Sequence, residues 1–213
     1  MNYKSILNLI GILLAIFSFA FIPPLIVTFI YKEPLSEIFL YSFLFLISLG
    51  VLMWFISRQK GLPLNISDGF IITTMFWIVL ACAGSIPFYF FGLSFNDAIF
   101  ESVSGITTTG ATLIVGLDDL PKSLLLYRQL LQWIGGMGLI ILAVAVMPAL
   151  GIGGSQLYKM ELPGSHGNQK LTPKITDSAK ALWRIYFGLT LACALLYILA
   201  GMDLFDAIAH SLS

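Results

Sequence analysis

Residues 95–119 read FNDAIFESVSGITTTGATLIVGLDD, and this stretch decides how the chain folds. From Asn96 to Ile106 it carries the marks of a short helix. Asn96 or Asp97 stands where a cap belongs, Glu101 lies in the early turns, and Ala98, Ile99, Val103 and Ile106 share an apolar face. These eleven residues rise only about 16 Å, half the hydrocarbon core of a bilayer. A polar run follows, Thr107-Thr108-Thr109-Gly110-Ala111-Thr112, then an apolar return through Leu113-Ile114-Val115 toward Asp118-Asp119. The pattern is half a helix, a polar hairpin and an extended climb.

The surroundings make that pattern unusual. Of 213 residues, 58% are hydrophobic and only 10% charged, against about 25% charged in a soluble domain. So little charge cannot cover a water-facing surface, and eleven basic residues cancelled by eleven acidic ones leave no surplus for a nucleic acid. Apolar segments of membrane-spanning length run over 5–30, 36–57, 70–91, 127–150 and 182–202. The expected fold is therefore all-α and integral to the membrane, with five transmembrane helices plus re-entrant half-helices. The first segment is about twice as long as the apolar part of a cleavable signal and has no small-x-small site after it. Pro23-Pro24 is expected to kink or end its helix.

Sorting charge by loop gives the expected orientation. The N-terminus, 58–69 and 151–184 together hold eight basic and three acidic residues, whereas the other side holds three basic and eight acidic. The positive-inside rule places the N-terminus in the cytoplasm and residues 92–126 outside. The half-helix then descends from the outer face and aims its negative dipole end at the membrane centre, where it stabilises a cation. Irregular backbone at that depth survives only when it lines a water-filled path or is buried in protein. On the first reading the Thr-Thr-Thr-Gly backbone offers carbonyl oxygens in place of an ion's water shell, with Gly110 permitting positive φ. The alternative is an ordinary external loop with a surface helix and a threonine-rich turn. The acidic outer face, which concentrates cations, favours the first.

An internal repeat favours it too. Asp97–Ser104, DAIFESVS, recurs as Asp206–Ser213, DAIAHSLS, with five of eight positions identical at an offset of 109. Upstream, Leu80–Ala83 recurs as Leu191–Ala194. A span followed by a half-helix thus occurs twice in the same orientation, a common way to build a transport path. The expected organisation is two N-terminal spans over 1–69, a first span–loop–span unit over 70–150, a basic cytoplasmic loop over 151–181, and an incomplete second unit over 182–213.

The stretch ESVSGITTTGATLIVGLDDLP, with YRQLLQWIGGMGLIILAVAVMPALGIGGSQLY and FDAIAHS, closely resembles the TrkH membrane subunits of bacterial Trk potassium uptake systems, within a superfamily that includes the KtrB subunits. The resemblance covers essentially the whole chain. It implies four pseudo-symmetric span–loop–span units around one K⁺ pathway, by channel or by symport, in the bacterial inner membrane. It assigns the first unit's selectivity filter to Thr107–Ala111, with Thr108 and Thr109 as ion-coordinating positions and Gly110 as the filter glycine. It also implies a homodimer and a cytosolic TrkA-type nucleotide-binding partner, with K⁺ as cargo and no cofactor. The offset of 109 would place a second filter near position 216, past Ser213, so the chain is expected to be incomplete and inactive alone. A deliberate fragment, a truncated gene product and a piece of a longer chain are all compatible with this, as is a non-transporting assembly or accessory subunit.

Other motifs are weaker. Gly135-Gly136-Met137-Gly138 in the fourth span reads as close helix packing, with a hinge as the alternative. Arg128 has Asp118, Asp119 or Glu101 as candidate partners for bracing the loop, or anchors the span as a snorkelling cation. Asp118-Asp119 reads as a solvated turn or a cation-attracting mouth. Cys82 and Cys193 lie within apolar spans, and His166 and His210 are isolated, so no metal spacing is present. Gly151–Gly154 opens no βαβ unit and is read as a helix exit. The basic loop from Lys159 to Lys180 suits lipid headgroups or TrkA docking, and the positive-inside bias alone also explains it. A lipid-acting enzyme with Asp118-Asp119 at a metal would need a second ligand cluster, which the outer loop lacks.

Overall fold

The computed structural model describes residues 3–57, 66–149 and 172–213. The described residues are helical: α1 (Tyr3–Ser18), α2 (Ile22–Tyr31), α3 (Ser36–Ser57), α4 (Ile66–Gly84), α5 (Ile86–Phe91), α6 (Phe95–Ile106), α7 (Lys122–Ala149), α8 (Thr172–Leu199) and α9 (Leu204–Ser211). Among them four helical stretches are long and apolar enough to cross a membrane: Tyr3–Tyr31, Ser36–Ser57, Ile71–Phe91 and Lys180–Leu199. The fifth expected span, 127–150, falls on α7, whose 28 residues rise about 42 Å. Gly151–Gly154, His166 and most of the basic loop lie outside the described residues.

The chain forms two compact units, Met1–Gly135 with Leu212–Ser213, and Gly136–Ser211. In the first, the Pro23-Pro24 pair bends its span without ending it. The helix tightens into a 3-10 turn at Phe19–Phe21 and restarts as α2, with proline in the first turn where its missing N–H costs nothing. Helices α1 and α3 approach closely through Gly11 and Gly50. A Cβ on Gly11 would come within 2.8 Å of the Gly50 carbonyl oxygen, and one on Gly50 within 2.6 Å of that of Gly11.

The third span breaks at Ser85, and Pro87 starts the short α5. The core joins these spans to α7 through Tyr127, which is fully buried and stacks on Phe21 at 5.4 Å, with Phe39 and Phe88 at 5.7 and 5.4 Å. Its hydroxyl donates to the Gly84 carbonyl at 2.8 Å, so the ring buries no unmet polar atom.

The N-terminus of α7 is closed from a distance. Glu33 Oε1 accepts from Lys122 N at 2.7 Å, and Oε2 accepts from Ser123 N at 3.1 Å and from the Ser123 hydroxyl. A carboxylate there satisfies orphan amides and meets the positive dipole end.

In the second unit α8 begins at Thr172, ten residues before the expected span at 182, because a helix can project past its apolar part. It ends at Leu199 on a left-handed Gly201, with Gly201 N bonded to Ile198 O at 3.0 Å and Met202 N to Tyr197 O at 3.0 Å. The half-helix α9 follows at once, so span plus half-helix occurs in both units as the repeat implies.

Candidate pore loop

The half-helix α6 is built much as its sequence implies, with one correction at its start. The cap is Ser94, not Asn96 or Asp97. Ser94 is extended, and its Oγ accepts from Asp97 N at 3.2 Å while donating to Asp97 Oδ2 at 2.7 Å. Asp97 therefore sits three residues inside the cap, and its carboxylate accepts from the cap hydroxyl and places a negative charge in the first turn. Twelve residues rise about 18 Å, so α6 cannot cross a bilayer.

Two neighbours hold α6. Ser102 donates to the Ala81 carbonyl of α4 at 2.7 Å. Against α7 the contact is glycine-made: a Cβ on Gly105 would stand 3.0 Å from Leu131 Cβ, and one on Gly135 would overlap the carbonyl of Ile106. Of the two readings of Gly135–Gly138, Gly135 serves packing, since it lets α7 pass over the last carbonyl of the half-helix.

The end of α6 is the informative geometry. Thr108 N bonds Gly105 O at 2.9 Å and Thr109 N bonds Ser104 O at 3.0 Å, the double closure that ends many helices. That closure needs a left-handed residue at its centre. After α5 it is Gly92 (φ 119°) and after α8 it is Gly201 (φ 93°); α2 ends on a left-handed Lys32 (φ 55°), and α6 on the β-branched Thr108 at φ 57°. A β-branched residue there costs roughly 1–2 kcal/mol relative to the right-handed form. Strain of this kind persists where the surroundings impose it, commonly at functional sites.

Beyond the turn the loop is tied on every side. Gly110, at φ 74°, bonds through its N–H to Ser104 O at 3.3 Å, and Ser104 Oγ donates to Ala111 O at 2.6 Å. Thr107 Oγ1 donates to Val103 O at 2.8 Å and lies 2.8 Å from Thr109 Oγ1. Glu101, fully buried, accepts from Thr112 Oγ1 at 2.6 Å and Leu113 N at 2.7 Å through one oxygen, and from Arg128 Nε at 3.1 Å through the other. Arg128 Nη2 donates to the Gly110 carbonyl at 2.8 Å. Of the candidate partners for Arg128, it meets Glu101.

Among the described residues, no donor reaches the carbonyls of Thr107, Thr108 or Thr109. With the Ile106 carbonyl, which packs against Gly135, four successive backbone acceptors stand without a donor at the negative end of a half-helix, three of them the threonines, while those of Ser104, Gly105, Gly110 and Ala111 are engaged. The loop then leads to a 3-10 turn at Leu117–Asp119, where Asp119 is exposed, which suits both the solvated turn and the cation-attracting mouth. Among the described residues no three His, Cys, Asp or Glu side chains gather as a metal site, so a cation here would meet backbone oxygen. His210 takes in α9 the repeat position that Glu101 takes in α6, with its ring 6.3 Å from that of Tyr197.

Two features of the site have little signature in the sequence. Glu33 closes α7 from 89 residues away, and only its place in the four-residue loop between two spans hints at a role. Thr108 as a left-handed residue runs against its own preference, and the run of three threonines before Gly110 is the sole signal.

Membrane-length helices combined with a half-helix that returns through an open-carbonyl loop define a pore-loop membrane protein. The chain belongs to the TrkH family of cation transport proteins, whose sequence profile matches residues 35–213. It is 50% identical over its full length to the Trk system potassium uptake protein TrkH of Vibrio parahaemolyticus and 47% identical to those of Halomonas elongata and Escherichia coli K12. The chain spans about 44–45% of the length of these relatives. Its structure superposes on the crystal structure of the potassium transporter TrkH from V. parahaemolyticus with a TM-score of 0.86 and 47% identity, covering all of this chain and 42% of that one.

Proposed function

We propose that this chain forms part of a potassium uptake pathway, in which α6 and the 107–110 loop supply one segment of a selectivity filter. The observation that carries the reading is the set of open carbonyls at Thr107, Thr108 and Thr109, held by a left-handed threonine at the dipole-negative end of a half-helix. Thr108 and Thr109 are the ion-coordinating positions. Gly110 is the residue whose positive φ turns the chain, and its own carbonyl is occupied by Arg128. The names of the relatives support K⁺ as the ion.

The rest of the assignment follows from charge and family. The basic side faces the cytoplasm, the N-terminus lies there, and the threonine loop opens to the acidic outer face of the bacterial inner membrane. The two repeat units, 70–150 and 182–213, each contribute a half-helix to a ring of four such units around one K⁺ pathway, in a subunit that pairs as a homodimer and meets a TrkA-type cytosolic partner at the basic 151–181 segment.

The test is growth on low potassium of a bacterium lacking its own K⁺ uptake, complemented by the complete native gene. The unaltered gene is expected to rescue growth. Thr108→Asp, which puts a charge beside the carbonyls, and Gly110→Ser, which strains a residue at φ 74°, are expected to abolish rescue or admit Na⁺ at normal membrane levels of protein. A Cβ on Gly110 meets only Gln132 Nε2, at 3.9 Å, so its effect is conformational rather than steric. Unchanged, selective uptake by both variants would refute the assignment.

A further inference from the structure

We infer that Arg128 is a positioning residue for ion selectivity: it holds the Gly110 carbonyl off the ion path, while Glu101 cancels its charge. The inference rests on the pore-loop reading above and adds which carbonyls are excluded from the ion and by what.

The geometry is two-pronged. One edge of the guanidinium reaches Glu101 through Nε at 3.1 Å, and Nη2 reaches the Gly110 carbonyl at 2.8 Å. Gly110 has no side chain and sits at φ 74° directly after the three open threonine carbonyls. Without a fixed donor, a glycine peptide rotates at little cost, and its oxygen would be free to join the row facing the ion. A filter discriminates by the number and placement of its oxygens, so one additional mobile carbonyl degrades the choice between K⁺ and the smaller Na⁺.

The price of this arrangement is a guanidinium beside a cation path, where a lone positive charge would repel the ion. Glu101 answers it. The carboxylate is fully buried and the arginine side chain nearly so, and the partners of both lie within residues 101–128. The same carboxylate ties down Thr112 and Leu113. Both limbs of the loop therefore hang from one neutral pair.

Lysine in place of arginine keeps the charge, but its donors all radiate from one nitrogen on a flexible stem. The two contacts here leave from Nε and Nη2 of a rigid plane, so lysine cannot hold both acceptors in this arrangement. The experiment uses the protein from its complete native gene in proteoliposomes, measuring Rb⁺ uptake against K⁺ and Na⁺ as competitors, alongside thermal unfolding in detergent. Arg128→Lys is expected to assemble and unfold close to the unaltered protein, yet to lose about tenfold in its preference for K⁺ over Na⁺. The pair variant E101Q/R128Q, which removes both charges and keeps hydrogen-bonding groups, is expected to show the same loss and covers the case in which R128K fails to assemble. A role in stability alone would lower the unfolding temperature and leave the ion preference of the surviving molecules intact; that result, or unchanged preference in the assembled variants, overturns the inference while leaving the pore loop standing. If the unaltered protein takes up no Rb⁺, the pore-loop reading falls and this inference falls with it.

Discussion

Replacing Glu101 with leucine is expected to destabilise the first unit by about 3–5 kcal/mol, the loss typical of removing one partner from a buried ion pair. The side chain is completely buried, and three neighbouring donors converge on it. Leucine would strand the Arg128 guanidinium with only the Gly110 carbonyl, and would leave the Leu113 amide and the Thr112 hydroxyl without their acceptor. Thermal unfolding in detergent reads the effect, and a midpoint near that of the unaltered protein would mean that the pair is solvated rather than sealed. Glutamine at the same position keeps an oxygen for Thr112 and Leu113, so its cost is expected to be clearly smaller. That ordering separates loss of charge from loss of every bond.

Gly135→Ala is expected to be the next most damaging change, at about 2–3 kcal/mol, within the range for forcing an extra carbon into a packed interface. The added methyl would overlap the carbonyl of Ile106, a backbone atom at the end of α6 that cannot swing away as a side-chain tip can. Relief requires the end of the half-helix to move, and the threonine loop moves with it. The variant should therefore lose ion selectivity as well as stability. Gly188→Ala is the control, because its methyl would meet nothing within 4 Å and alanine favours helix. Equal unfolding midpoints for the two variants would remove the packing argument.

Much of this structure was legible because a bilayer imposes coarse rules. Apolar run length marks the spans, and a helix too short to cross stands out against them, as Asn96–Ile106 does. The threonine run marked the loop because polar residues followed by an apolar return have few places to go in lipid. What stayed hidden depends on contacts that one-dimensional spacing does not encode. Ser94, Asn96 and Asp97 are all good caps within four positions, and three-dimensional geometry chose Ser94. Arg128 had three acids in reach by sequence, and the structure pairs it with Glu101 behind the loop. Tyr127, at the centre of the aromatic core, reads in sequence as one more residue at a membrane boundary.

The left-handed threonine is the sharpest case. Propensity argues against it: the same closure carries glycine at Gly92 and Gly201, and Lys32, the other left-handed non-glycine among the described residues, is not β-branched. Local preference fails at the residue proposed to face the ion, which is where a functional constraint should override it.

The central claim is that a cation passes the open carbonyls of Thr108 and Thr109. Anomalous diffraction from crystals of the complete native protein grown in Rb⁺ tests it most directly. The account predicts a Rb⁺ peak within direct coordination distance of the Thr108 and Thr109 carbonyl oxygens, with the Gly110 oxygen still bonded to Arg128. A pathway whose Rb⁺ peaks all lie away from residues 107–110, or a peak ligated by the Gly110 oxygen in place of the threonines, would contradict it.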